Sequence, residues 1–176
     1  MIHMELDRCT LRQWKTGDEE SVVFHANNKK IWRNVRDHFP SPYTLADAVR
    51  WVFHASTVLS DKVFAIDVDG KAVGSIGLVP KEDVYRKSME IGYWLGEQYW
   101  GRGIATEAVG AMTRYGFAQF DIIRIYADIF EWNPASARVL EKNGYQFEAR
   151  LKRAIVKDGT ISDVLIYSIL KEALLP

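Results

Sequence analysis

The sequence predicts an α/β fold with a mixed sheet, and three observations predict it. The spacing of apolar residues changes from helical to alternating after about residue 58. Two Asp-Gly pairs, Asp69-Gly70 and Asp158-Gly159, each stand between strand-like runs, which is a hairpin signal. Between the hairpins, residues 89–95 read as a strand, Gly101-Arg102-Gly103 as a loop, and the residues from Ile104 as a helix. That strand–helix–strand crossover adds a parallel connection to the hairpins, so the sheet is mixed.

Taken in order, residues 4–12 read as a first strand. Thr16-Gly17-Asp18 opens a helical stretch to about Asn27, and a short helix covers Lys29–Val35. Pro40 and Pro42 make the segment from Asp37 to Tyr43 an irregular loop. Thr44 with Asp47 is a capping-box pair for a helix at 45–58. Val63–Val68 and Lys71–Val79 form the first hairpin. A helix follows the glycine loop, its apolar residues falling at Ile104, Ala105, Ala108, Val109 and Met112, and it runs to about Phe120. Ile123, Ile125, Ala127 and Ile129 alternate on one face of the next strand. Asn133 suits an N-cap, Pro134 a first helical position, and Gly144 a stop. The last hairpin joins Ala154–Lys157 to Ile161–Leu170.

A length of 176 residues with 48% apolar content predicts one domain, 1–176, with a substantial core. Twenty-three basic and 23 acidic residues cancel, which argues against nucleic acid as a partner. The one cysteine, Cys9, excludes an internal disulfide and reads as a small core residue. Four scattered histidines give no metal-ligand spacing, so no metal is expected. No apolar run reaches the ~18 residues of a membrane span and no signal pattern opens the chain. A cytoplasmic protein without membrane contact is the expectation, with exposed aromatics allowing a homodimer.

The stretch from Gln98 to Ala105, QYWGRGIA, carries the most chemistry. A glycine turn feeding a helix N-terminus offers backbone N–H groups and the positive end of a helix dipole to an anion. A dinucleotide fingerprint fits poorly: Thr106 stands at the third glycine position, and Asp121 precedes the next strand instead of closing it. The P-loop pattern GxxxxGK[ST] is absent.

Four blocks in order resemble the GNAT superfamily of N-acetyltransferases over nearly the whole chain. They are the QxxGxG loop, Met89–Leu95 (MEIGYWL), Asn133–Tyr145 (NPASARVLEKNGY) and Lys157–Tyr167 (KDGTISDVLIY). The last block, with Ile31–Asn34 and Phe39–Tyr43, is similar to the ribosomal-protein alanine (RimJ/RimL-like) branch. The resemblance implies a mostly antiparallel mixed sheet with a splayed central strand pair and flanking helices. It implies acetyl-CoA as the acyl donor and a primary amine as acceptor, either a protein N-terminus or a small molecule.

The resemblance also implies roles. The pantetheine arm would bond the main chain of Tyr93, Trp94 and Leu95. The diphosphate would take N–H bonds from Gly101, Arg102, Gly103, Ile104 and Ala105, after Gln98. Arg102 is either a phosphate contact or a solvated charge. Asn133 caps its helix and is placed to contact pantetheine. Glu90 is either a general base or a carboxylate that orders the strand. Ser136 is either a hydrogen-bond donor to the departing sulfur or an ordinary first-turn residue. Leu140 stands where many members carry an acidic tyrosine, and Ile155 where the ribosomal branch carries a glutamate. An oxyanion would meet a backbone N–H near Tyr93 and Trp94. Arg36, Asp37, Phe39 and Tyr43 are candidates for the acceptor walls, whereas Trp32 and Trp51 read as core. The departures from the family pattern leave a non-catalytic acyl-CoA-binding module as the alternative reading.

Overall fold

The computed structural model describes residues 2–174. Eight strands form one open sheet: β1 (His3–Glu5), β2 (Thr10–Arg12), β3 (Val63–Val68), β4 (Lys71–Pro80), β5 (Ser88–Leu95), β6 (Arg124–Phe130), β7 (Gln146–Lys157) and β8 (Thr160–Leu170). Their order is β1-β2-β3-β4-β5-β6-β8-β7. The β5–β6 pair is parallel, while the registered neighbours β1–β2, β2–β3, β3–β4, β6–β8 and β7–β8 are antiparallel. The helices are α1 (Glu19–Ala26), α2 (Lys29–Trp32), α3 (Leu45–Thr57), α4 (Ile104–Gln119) and α5 (Pro134–Lys142). The chain divides into two compact units. One is the chain up to Gly77 with Tyr93–Ala108; the other is Leu78–Gly92 with the chain from Val109 onward.

In the first unit, α1 and α3 carry the helical share of the core. The capping box is formed: Thr44 N–H donates to Asp47 Oδ2 at 2.8 Å and Asp47 N–H to Thr44 Oγ1 at 3.3 Å. Ala48, Val52 and Ala55 are the buried face of α3, and they join Trp14, Val22, Ala26, Tyr43, Val63, Ala65 and Ala72 in one cluster. Small alanines on both helix and strand let the backbones approach. The same unit holds a buried charge network. The Arg12 guanidinium donates to both Asp18 oxygens at 2.8 Å and to Asp67 Oδ2 at 2.6 Å, tying β2 to β3 and the start of α1. Burial opposes the Arg12 charge, but its bonds to Asp18 and Asp67 outweigh that and raise its pKa. The β3–β4 hairpin turns through Asp69 and Gly70 at φ of 53° and 81°, the left-handed pair that the Asp-Gly signal predicts.

In the second unit, β6 has all its inward residues buried at Ile125, Ala127 and Ile129. Asn133 caps α5 by accepting from Ser136 N–H at 3.2 Å, Pro134 begins the helix, and Gly144 follows it at φ 82°. Tyr145 is buried with its hydroxyl 2.8 Å from Thr113 Oγ1 on α4. Asp158 and Gly159 turn the last hairpin at φ of 51° and 72°.

Four boundaries differ from the sequence reading. Residues 4–12 make two strands, because Leu6 N–H bonds Cys9 O at 3.0 Å and folds the chain back between them. The short helix α2 ends at Trp32, before Val35. β7 starts at Gln146, well before Ala154; nearly every residue is exposed, so it has no apolar alternation, and β8 supplies its pairing. Its lysines and arginines mark an edge strand. Ile123 lies outside β6 and is exposed.

Candidate active site

In the first unit, the chain leaves β5 at a tightly built corner. Gly96 N–H bonds Val73 O at 2.8 Å, and a Cβ on Gly96 would lie 2.6 Å from His25 Nδ1, so only glycine fits. Glu97 accepts from Asn28 Nδ2 at 2.8 Å and pairs with the Lys30 ammonium. Those bonds, Lys30 foremost, hold its carboxyl below the usual range and tie α2 to the corner. Trp100 Nε1 donates to Leu95 O at 2.7 Å, closing the turn over itself.

Gly101 and Gly103 then take φ of 72° and 79°, left-handed conformations that side-chain-bearing residues rarely adopt. Gln98, Gly101, Arg102 and Gly103 are exposed, Ala105 is half-buried, and Ile104 at 3% exposure anchors the loop to the core. The bond from Glu107 N–H to Gly103 O, 3.0 Å, leaves the preceding N–H groups of the helix start outside the α-helical ladder. The loop is therefore a backbone cradle with the positive end of a sixteen-residue helix behind it, suited to an anion such as a diphosphate. Two guanidinium groups border it. Arg102 lies over the Tyr99 ring at 5.5 Å, and Arg8, from the β1–β2 turn, lies beside Gly103.

The proline-containing loop also belongs to this unit. Phe39 packs between Tyr43, tilted at 4.9 Å, and Trp94, edge-on at 5.9 Å, so three expected site residues are brought together. Tyr43 differs from the expectation for a wall: it is 6% exposed within the core cluster, and burial pushes its hydroxyl up to about 12. It supports Phe39 instead of presenting a face. Arg36 and Asp37 are exposed. Trp51 packs partly buried against the core, with its ring 6.2 Å from Trp14, as expected, while Trp32 is half-buried. Tyr93 and Trp94 are half-buried and Leu95 is buried at 6%. Cys9 is buried, and burial foremost raises its thiol to about 12, which suits a core residue and not a nucleophile.

In the second unit, the parallel β5–β6 ladder pairs Ser88 with Arg124, Met89 with Ile125 and Glu90 with Tyr126, and the registered pairing ends there. Glu90 thus sits at the last rung before the strands part company, 8% exposed. Lys81, just past β4, donates to Glu90 Oε2 at 2.8 Å and lies 5.4 Å over the Tyr126 ring. Burial lowers the Lys81 ammonium, but its bonds to Glu90 and Tyr126 carry it up overall. Gly92, next on the Glu90 face, is exposed with nothing within 4 Å of where a Cβ would be.

Asn133 and Ser136 open α5, both half-buried, while Leu140 points inward at 0% exposure. Ile155 pairs with Ser162 across the last hairpin, and Ser162 Oγ donates to Glu131 Oε1 at 3.0 Å. A carboxylate therefore does reach the hairpin start, but from the link between β6 and α5. Arg150 bridges Glu131 (3.2 Å) and Asp163 (3.1 Å). Glu131, Lys81 and Arg8 were all missed from the sequence, because each meets its partner through strand pairing or a turn and not through spacing. Among the described residues, no group of three or more His, Cys, Asp or Glu side chains is placed to hold a metal, and no helix is long and apolar enough to cross a membrane.

Known proteins resemble this chain in sequence and in fold. The family model described as Acetyltransferase (GNAT) domain matches residues 8–146. The uncharacterized N-acetyltransferase p20 of Bacillus licheniformis is 38% identical over 170 residues, covering 94% of each chain. A GNAT-family acetyltransferase structure from Bacillus anthracis superposes with a TM-score of 0.83 at 25% identity, covering 97% of this chain and 99% of that one. The ribosomal L7/L12 alpha-N-protein acetyltransferase RimL, solved with coenzyme A, has a TM-score of 0.84 at 21% identity, covering 98% and 99%. These matches extend over most of the chain, and the chain belongs to the GNAT family of acetyl-CoA-dependent N-acetyltransferases.

Proposed function

We propose that the acceptor is an α-amine, on a protein N-terminus or a small molecule, and that 1–176 acts as one acyltransferase domain. The observation that carries this is Glu90, buried with one carboxylate oxygen already occupied by the Lys81 ammonium at 2.8 Å. An amine must be neutral to attack a thioester. An α-amine titrates at about 8 and needs little help near neutral pH, whereas a lysine amine at about 10.4 needs a strong base. RimL, a protein of the same fold, is described as an alpha-N-protein acetyltransferase, which supports the reading.

In this reading, backbone N–H groups from Gly101 to Ala105, with Gln98 and Arg102, hold the diphosphate. The left-handed glycines and the exposed loop fit that group. The main chain of Tyr93, Trp94 and Leu95, with Asn133, lines up pantetheine. The bound thioester supplies the acetyl group. Glu90 takes a proton from the bound ammonium, directly or through water, and the neutral amine then attacks; the proton that the nitrogen sheds after the C–N bond forms passes to water. Ser136 donates a hydrogen bond to the sulfur as the C–S bond breaks, and the α5 dipole favours the thiolate. Arg36, Asp37 and Phe39 face the acceptor side.

Release of free thiol from acetyl-CoA over a panel of N-terminal peptides, small amines and polyamines tests the proposal. The expected product, read by mass spectrometry, is acetylated on an α-amine. Preferential acetylation of lysine side chains in N-terminally blocked peptides overturns it. We place the enzyme in the cytoplasm, where acetyl-CoA is available, and as a homodimer; exposed Leu45, Val49 and Phe53 one turn apart on α3 support the latter. A monomer mass by sedimentation rejects the dimer.

A further inference from the structure

We infer that Arg8 supplies a second cation to the glycine loop, bonding the diphosphate of acetyl-CoA, and that Glu107 positions it. The inference rests on the phosphate-loop reading above. Arg8 belongs to the turn between β1 and β2, far from the loop in sequence, yet the fold sets it against Gly103. A Cβ built on Gly103 would stand 3.3 Å from Arg8 Nε and 3.4 Å from its Cδ. The left-handed backbone is what favours glycine at position 103, and the Arg8 side chain passes close beside it.

Glu107, one turn into α4, holds the turn there. Its Oε2 accepts Arg8 N–H at 2.9 Å, and its Oε1 accepts Asp7 N–H at 3.2 Å. These main-chain bonds fix the backbone of the turn and so the root of the Arg8 side chain. The side-chain bond, Arg8 Nη1 to Glu107 Oε1, is 3.4 Å, longer than a well-formed charged bond. The Arg8 side chain is 54% exposed. A guanidinium carries five N–H donors in a planar fork matched to phosphate oxygens. One loose bond to Glu107 aims that fork and leaves donors for a diphosphate. Charge points the same way. Glu107 alone would set an anion in the first turn of the phosphate helix, and Arg8 offsets it.

The test is calorimetric binding of coenzyme A to wild type, Arg8→Ala, Arg8→Lys and Glu107→Ala, with steady-state kinetics on acetyl-CoA and on S-acetylpantetheine, which lacks the diphosphate. Arg8→Ala is expected to weaken coenzyme A about tenfold and to flatten its salt dependence. Arg8→Lys recovers part of that loss. Glu107→Ala weakens binding by a similar factor, and the double variant adds little to either. KM for acetyl-CoA rises with kcat nearly unchanged, while kcat/KM for S-acetylpantetheine stays at the wild-type value in every variant. Unchanged coenzyme A affinity in Arg8→Ala overturns the inference, as does an equal loss on S-acetylpantetheine. Wild type that binds S-acetylpantetheine as tightly as acetyl-CoA overturns the phosphate-loop reading itself.

Discussion

Replacing Glu90 with glutamine separates the two roles open to this residue. Glutamine keeps the shape and a carbonyl oxygen that still accepts from Lys81, so packing at the last β5–β6 rung survives. The lost ion pair costs little, because the Lys81 side chain is 31% exposed and an unpaired ammonium there is hydrated; about 1 kcal/mol is the upper end. The kinetic effect depends on the acceptor. Near pH 7, an α-amine with a pKa of about 8 is about one-tenth neutral, so a proton acceptor gains at most about tenfold by neutralising it. A lysine amine with a pKa of about 10.4 is neutral only about once in 2,500, and there the gain reaches about 10³. Thiol release by Glu90→Gln, measured against wild type from about pH 6.5 to 9.5 on an N-terminal peptide, should therefore fall no more than about tenfold at neutral pH. The deficit should vanish above the amine pKa. A deficit of about 100-fold that persists at about pH 9 would refute the reasoning, since proton removal from a neutral amine cannot be the missing step. No deficit at any pH would leave Glu90 as a strand-ordering carboxylate.

Three further outcomes follow from the geometry. Alanine at either loop glycine meets left-handed strain of about 1–2 kcal/mol, but a Cβ at Gly101 enters open space whereas one at Gly103 meets Arg8 at 3.3 Å; coenzyme A titrations should show Gly103→Ala as the weaker binder of the two, and the reverse order contradicts the placement of Arg8. Arg12→Met removes the cation between buried Asp18 and Asp67 and should cost about 3–5 kcal/mol in urea unfolding; a loss below about 1 kcal/mol would show that the carboxylates rehydrate. Burial, then Lys71, lowers the pKa of His25, so its folded state favours the neutral ring; that stability is present above the unfolded value of about 6.5 and is lost as pH falls below it. A neutral glutamine at His25 should flatten the fall in melting temperature between about pH 6.5 and 5, and an unchanged slope would assign the fall to other groups.

The sequence alone determined the parts whose causes are local. Thr44 and Asp47 form their capping box, Asn133 and Pro134 open α5, and Asp69-Gly70 and Asp158-Gly159 turn their hairpins as left-handed pairs. The glycine loop was legible for the same reason: a left-handed turn needs glycine, and a helix start needs nothing beyond its own backbone. Element ends were less legible. The β1–β2 turn is held partly by Glu107, 100 residues from Asp7, and β7 is a strand because β8 pairs with it, not because its own residues alternate.

Tertiary structure decided which groups face the candidate site and in what company. No spacing pairs Lys81 with Glu90, brings Glu131 to Ser162, sets Arg8 beside Gly103 or sinks Tyr43 into the core. Local propensity fixes the torsions of a few neighbouring residues. A carboxylate's partner depends on strand register and turn placement, which are set by burial summed over the whole chain.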